Sequence, residues 1–237
     1  MKAKGIAVVL AAGQGKRMGG TIQKQYMDLC GKPVLYYTLK AFEESEVIDQ
    51  IILVSGKEEK DQVRESIVDF YGFQKVTQIT EGGKERYDSV WNALQIVDKM
   101  EDKEESYVFI HDGARPLVDD SILKRTYEEV RRSGACVAGM PVKDTIKIVN
   151  ENLETEETPD RKKMWMIQTP QTFSYALIYE AYEEMLKTED TAITDDAMVL
   201  ERIKGKKSKL IEGSYRNIKI TTPEDLLIAN VYLQHPE

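Results

Sequence analysis

Residues 10–20 read LAAGQGKRMGG and follow the apolar run IAVV. Glycines let a backbone approach an anion closely and turn amide N–H groups inward, and Lys16 and Arg17 add charge to the same turn. The chemistry this suits is the holding of phosphate. Gly13, Gly15 and Gly19 stand as G-x-G-x-x-x-G, one residue longer than the dinucleotide fingerprint, and no G-K-[ST] follows where a P-loop requires it. A triphosphate fits the built-in cations better than a pyrophosphate bridge does. A glycine-rich turn with two solvated cations is the plainer alternative, and Lys24 in QKQY is either a surface lysine or a third phosphate contact.

Three further stretches carry residues of the right type. GGKERYDSV at 82–90 sets a glycine pair before a helix, where backbone amides could read a base edge and Ser89 could fix it; alone, such a turn is commonplace. HDGARP at 111–116 brings Asp112 off a strand end, suited to Mg²⁺ or a ribose hydroxyl, with Arg115 to pair a phosphate or brace the loop. Arg161 in DRKKMW and Lys219 in RNIKIT suit a second anion. His111 has no second His or Cys at ligand spacing and reads as a packing residue.

The elements that must position these residues alternate between short β-rich runs and longer stretches of helical period, which indicates an α/β fold with a mainly parallel sheet. Strands are expected at 5–10, 50–54, 75–79, 107–111 and 136–140, each unbroken by Pro. Pro33 opens one helix. Val63, Ile67 and Phe70 mark the face of a second, and Val90, Leu94 and Val97 that of a third. A fourth starts near Asp119 or Asp120 and stops at Gly134, and a terminal one has Thr222 as cap and Pro223 in its first turn. In such a sheet ligands bind beyond the carboxyl ends of the strands, which is where LAAGQGKRM, GGKER and HDGARP fall. Residues 142–161, VKDTIKIVNENLETEETPDR, break the rhythm and read as an extended arm or hairpin.

Bulk properties narrow the class. The 237 residues suffice for a single domain carrying the 142–161 arm. The net charge of -8, with Lys and Arg scattered among acids, lacks the broad basic footprint of a nucleic-acid binder. No leader and no apolar run near 18 residues is visible, so neither secretion nor a membrane span is expected and the cytoplasm is the default. Cys30 and Cys136 are too few and too far apart for a metal knuckle or disulfide framework.

Taken in order, LAAGQGKRM, QKQY, GGKERYDSV, HDGARP, DRKKMWMIQTPQ, ITDDA and RNIKITTPEDL resemble the 2-C-methyl-D-erythritol 4-phosphate cytidylyltransferases of the non-mevalonate isoprenoid pathway, over nearly the whole chain. The resemblance implies a Rossmann-like nucleotidyltransferase fold with a protruding β-arm, a homodimer through residues 142–161, CTP and methylerythritol phosphate as substrates, and Mg²⁺. By the same resemblance Arg17 and Lys24 stabilise the transition state, and Arg161 and Lys219 position the polyol phosphate. Ala11, Ala12, Gly13, Gly15, Lys16, Gly83, Ser89 and Asp112 hold the nucleotide, Asp112 also the metal, and Arg115, Thr145 and Thr194 line the methylerythritol phosphate site. Two positions depart from the pattern: Lys84 stands where several relatives carry an acid beside the base, and Gln23 where many have Pro.

A sister family, the ribitol-5-phosphate cytidylyltransferases, shares the scaffold and chemistry. It typically reads AGG where this chain has Ala11-Ala12-Gly13 and lacks the pair matched by Asp160-Arg161. A non-catalytic nucleotide-binding module would keep the glycine loop, yet has no use for the second cation pair. An NAD(P)-dependent oxidoreductase should show an acid near the end of the second strand, where this chain has Ser55 and Gly56. A phosphate nucleophile arrives ionised, so no side-chain base is needed, and catalysis reduces to positioning and charge neutralisation.

Overall fold

The computed structural model describes residues 3–13, 23–188 and 192–235. The chain opens with β1 (Lys4–Leu10), a small hairpin of β2 (Asp28–Leu29) and β3 (Lys32–Pro33), and α1 (Val34–Glu44). There follow β4 (Gln50–Ser55), α2 (Lys60–Val63), β5 (Val76–Glu81), α3 (Arg86–Val97), β6 (Ser106–Asp112), α4 (Asp120–Ser133) and β7 (Ala135–Pro141). The second part holds β8 (Ile148–Val149), β9 (Thr155–Glu157), β10 (Trp165–Ser174), α5 (Tyr175–Met185), α6 (Asp196–Lys204), β11 (Lys209–Glu212) and α7 (Pro223–Gln234).

Seven strands form one sheet in the order β11-β7-β10-β6-β1-β4-β5, parallel except for β10, which runs antiparallel to both neighbours. The pattern of β1 explains why the sheet is covered on both faces. Ile6 to Val9 are all buried, the continuous apolar run expected of a doubly covered parallel strand. Successive side chains point to opposite faces, so Ala7 and Val9 join one core and Ile6 and Val8 the other. Leu35, Leu39 and Phe42 of α1, with Ile122, Leu123 and Tyr127 of α4, close the first core. Val90 and Leu94 of α3, with Ile178 and Tyr182 of α5 and Val199 and Leu200 of α6, close the second.

The expected strands match β1, β4, β5, β6 and β7 to within two residues at either end. Local capping fixes the helices beside the site. Asp119 accepts a hydrogen bond from the Ile122 N–H (2.9 Å) to start α4, and Gly134 (φ 74°) ends it in the left-handed region. Pro33 is the residue before α1 and not its first turn. The helical face marked by Val63, Ile67 and Phe70 is corrected by the structure. Residues Arg64–Asp69 form a widened π-helical turn, so Val68 joins Val63 and Ile67 in the core and Phe70 is 73% exposed.

Two strands escaped the sequence pattern. β10 carries Pro170, Gln168 and Gln171 in place of an alternating apolar pattern, and β11 is a short edge strand with mostly exposed side chains. Within 142–161, β8 and β9 pair antiparallel and expose both strands.

The connection order places a switch at β1. The chain runs outward from β1 to β4 and β5, then crosses back so that β6 flanks the other side of β1. The crevice at the carboxyl ends of β1 and β6 is where an open α/β sheet binds its ligand. Leu10 and Asp112 are partners in register there, and the Gly113 N–H donates to the Leu10 carbonyl at 2.8 Å.

Candidate active site

A cleft of about 810 Å³ opens at this crevice. Its glycine-rich wall is made by Ala12 and Gly13 after β1 and by Gly82 and Gly83 after β5. At Gly82 a Cβ would collide with that of Ala12 and lie 3.0 Å from Ser89 Oγ, so the two turns approach more closely than any side chain allows. Ser89 holds the second turn. Its hydroxyl accepts from the Gly83 N–H (3.0 Å) and donates to the Glu85 carbonyl (3.2 Å).

The cleft is also lined by charge. Lys24, Lys57, Lys84 and Lys219 line it together with Arg86 and the carboxylate of Asp112. Asp112 Oδ2 lies 2.8 Å from Lys219 Nζ and 3.8 Å from Arg115 Nε, and Oδ1 lies 3.5 Å from Arg86 Nε. Burial alone would raise the Asp112 pKa, but the charges of Arg86, Lys219 and Arg115 outweigh it and hold the carboxyl well below the usual carboxylate range. Arg115 is braced as well as bracing: its Nη1 donates to the Asn217 carbonyl at 2.8 Å, and burial lowers its pKa against the pull of Asp112.

His111 is fully buried beneath this group. Thr169 Oγ1 accepts from the Asp112 N–H (3.1 Å), so its single proton goes to His111 Nδ1 (2.9 Å), which leaves Nε2–H to donate to the Arg115 carbonyl (3.2 Å). Burial pushes the imidazole pKa down to about 4. His111 is thus a neutral brace for the Asp112–Arg115 turn.

The structure brings Ala12, Gly13, Lys24, Gly83, Ser89, Asp112 and Lys219 to one cleft. Ala11 lies just beneath, with its N–H donating to the Val54 carbonyl at 2.7 Å. Gly15, Lys16 and Arg17 lie outside the described residues. Arg161 is exposed at the base of the arm, where its Nη1 donates to the Lys143 carbonyl at 2.8 Å, and Thr145 is exposed on the arm; neither lines the cleft. Thr194 is exposed two residues before Asp196, whose carboxylate Arg86 holds.

Sequence reasoning missed Arg86, Gln25, Lys57 and Asn217. Gln25 is 1% exposed, and its Nε2 donates to the carbonyls of Ala11 and Gly13 (3.1 Å for Gly13), pinning the start of the glycine loop. Asn217, also buried, donates to the Thr169 carbonyl at 2.8 Å and offers its own carbonyl to Arg115. A buried polar residue inside a loop motif was the only signal available, and its partners lie far away in sequence.

The family model for 2-C-methyl-D-erythritol 4-phosphate cytidylyltransferase matches residues 6–235. The chain belongs to that family. It is similar to the 2-C-methyl-D-erythritol 4-phosphate cytidylyltransferases of Lachnospira eligens, at 52% identity over 96% of this chain and 98% of the relative, and of Alkaliphilus oremlandii, at 51% over 96% and 94%. Among solved structures, the 4-diphosphocytidyl-2C-methyl-D-erythritol synthase of Anaerococcus prevotii superposes with a TM-score of 0.86 at 31% identity, covering 99% of this chain and 97% of that one. Family membership makes the chain a cytidylyltransferase, an enzyme with a nucleotidyltransferase fold, and does not favour the ribitol-5-phosphate or non-catalytic alternatives.

Proposed function

We propose that this chain transfers CMP from CTP to 2-C-methyl-D-erythritol 4-phosphate, giving 4-diphosphocytidyl-2-C-methyl-D-erythritol and pyrophosphate. An oxygen of the substrate phosphate bonds to the α-phosphorus of CTP. The bond from that phosphorus to the β-bridging oxygen breaks, and its electron pair leaves with pyrophosphate. The attacking group is already an anion, so no proton need be removed. The observation that carries this reading is the meeting of Lys24, Asp112 and Lys219 in a cleft also lined by Gly13, Gly82 and Gly83.

Each side of the cleft has a distinct part to play. Backbone at Ala12, Gly13 and Gly83 allows close approach of the nucleotide, and Lys24, with Lys16 and Arg17 of the same loop, offsets charge on the triphosphate. Lys219 holds the attacking phosphate against like-charge repulsion; its ammonium has three donors, one of them directed at Asp112.

Among the described residues no group of three or more His, Cys, Asp or Glu could hold a metal ion. Magnesium commonly takes one or two protein carboxylates and fills its shell with phosphate and water oxygens, which a single ionised Asp112 facing a triphosphate suits. Bound there, it would supply further charge neutralisation for the phosphates.

Two features support a homodimer. Ile148 (46% exposed), Val149 (44%) and Leu153 (83%) put apolar side chains on an arm that its own chain leaves uncovered. Arg161 stands at the arm's base, away from its own cleft, so a partner's arm would bring it to the site. Soluble, multiply charged substrates support a cytoplasmic place of action, and no helix among the described residues is long and apolar enough to cross a membrane. Pyrophosphate release from CTP with methylerythritol phosphate tests the reading. Release with ribitol 5-phosphate instead would overturn the substrate assignment, and CTP binding with no release from either would overturn the activity.

A further inference from the structure

The geometry points to Arg86 as a positioning residue for Asp112, a role that rests on the cytidylyltransferase reading of the cleft. Arg86 opens α3, and its guanidinium is held by a carboxylate that no solvent reaches. Nη1 and Nη2 donate to Asp196 Oδ1 (2.9 Å) and Oδ2 (2.8 Å), and Asp196 is fully buried. Asp196 is itself locked from two sides. The Tyr182 hydroxyl donates to its Oδ1 at 2.6 Å, and Gln171 Oε1 accepts the N–H groups of Asp196 (2.9 Å) and Ala197 (3.0 Å).

The third nitrogen of the guanidinium, Nε, is directed at Asp112 Oδ1, 3.5 Å away. The two oxygens of Asp112 are therefore divided: Oδ1 faces Arg86, while Oδ2 faces Lys219 and Arg115. Lys219 is the mobile partner of the set, because its ammonium sits on a flexible stem and is needed at the substrate phosphate. Arg86 cannot follow it. Tied to Asp196, it keeps one oxygen of Asp112 aimed and charged while the other exchanges partners. Through Asp196 it also ties the head of α6 to the carboxylate at the end of β6.

Arg86→Lys keeps the charge and loses the fork, since one ammonium cannot reach three oxygens in that geometry. Asp196→Asn removes the anchor at a buried position that does not line the cleft and leaves Arg86 free to close fully on Asp112. Both should raise the Mg²⁺ concentration at half-saturation of CTP binding, read by titration calorimetry, at least threefold. A purely structural role would lower the melting temperature and leave that concentration unchanged in the folded protein. Should a variant not fold, Tyr182→Phe removes only one hydroxyl from Asp196, and a smaller rise in the same direction is expected. Folded variants that all stay within twofold of the parent overturn the inference. Turnover of the parent with CTP and methylerythritol phosphate is measured alongside; its failure would remove the proposed function while the calorimetry still decides the role of Arg86.

Discussion

Lys219 Nζ lies 2.8 Å from Asp112 Oδ2, joining the segment before α7 to the end of β6 across the mouth of the cleft. The pair is half open: the lysine side chain is 36% exposed and the carboxylate 12%. Asp112 keeps Arg86 and Arg115 when Lys219 is removed, so the fold should tolerate the loss. Lys219→Ala is expected to reduce kcat on the order of a hundredfold, the usual size for one lost charge-stabilising contact, with the melting temperature shifted by only a few degrees. Pyrophosphate release and a thermal melt check both halves. Turnover near that of the parent would remove Lys219 from the mechanism.

The separation of Arg161 from the cleft gives a second expectation. Lys24 lines the cleft, whereas Arg161 is bonded to the Lys143 carbonyl at the arm's base. If arms are exchanged in a dimer, a mixture of Lys24→Ala and Arg161→Ala chains forms some dimers in which one site is intact and the other carries both losses. Random pairing makes half the dimers mixed, so about a quarter of parental activity should return where each variant alone is nearly inactive. No recovery after subunit exchange, verified by native mass measurement, would count against a shared site.

Gln25 supports the loop from below. Its Nε2 donates to the Ala11 and Gly13 carbonyls, and its Oε1 has no hydrogen-bond partner among the described residues. Gln25→Leu leaves the buried Ala11 carbonyl without that donor, a loss of about 1–3 kcal/mol, and frees the start of the glycine loop at the exposed Gly13. The apparent KM for CTP should rise severalfold more than that for the polyol phosphate. Equal changes in both, or none, would mean that the loop is held by other contacts.

The frame of this site was legible because each of its parts is local. Strand β1 announces itself as GIAVVL, Asp119 and Gly134 cap α4 from the positions immediately flanking it, and the glycine turns follow strand ends. Arg86, Gln25 and Asn217 were not legible for the opposite reason. Arg86 sits in an ordinary first helical turn, and only folding brings Asp196 to its guanidinium. Strand β10 was hidden by Pro170 and by buried glutamines whose amides serve the site: Gln171 holds α6 and Gln168 holds Ser214 and Asn217. Polar residues there satisfy partners distant in the chain, which is a property no periodicity reveals.

At Gly82 the constraint is steric. A methyl group there meets Ala12 Cβ and Ser89 Oγ at once, and one of the two turns lining the cleft must retreat. Overpacking of this kind costs about 1–3 kcal/mol. Gly82→Ala is expected to weaken CTP binding at least tenfold in calorimetry while far-UV circular dichroism remains that of the parent. Unchanged affinity would show that the close approach of the turns does not shape the nucleotide wall.

The buried imidazole of His111 makes stability depend on pH in a definite direction. Its pKa in the folded protein is about 4, below the ordinary 6.5, so the unfolded chain binds the extra proton throughout that interval. Stability is full above pH 6.5 and falls as the pH drops toward 4. From pH 7 to pH 5 the loss should reach about 2 kcal/mol, read from denaturant midpoints at fixed salt. His111→Gln should lower stability at pH 7, because Thr169 and the Arg115 carbonyl lose their common partner, and should flatten the dependence over the same interval. A parent protein whose midpoint is level from pH 7 to 5 would mean that His111 titrates alike in both states, and the neutral brace under Asp112 would have to be abandoned.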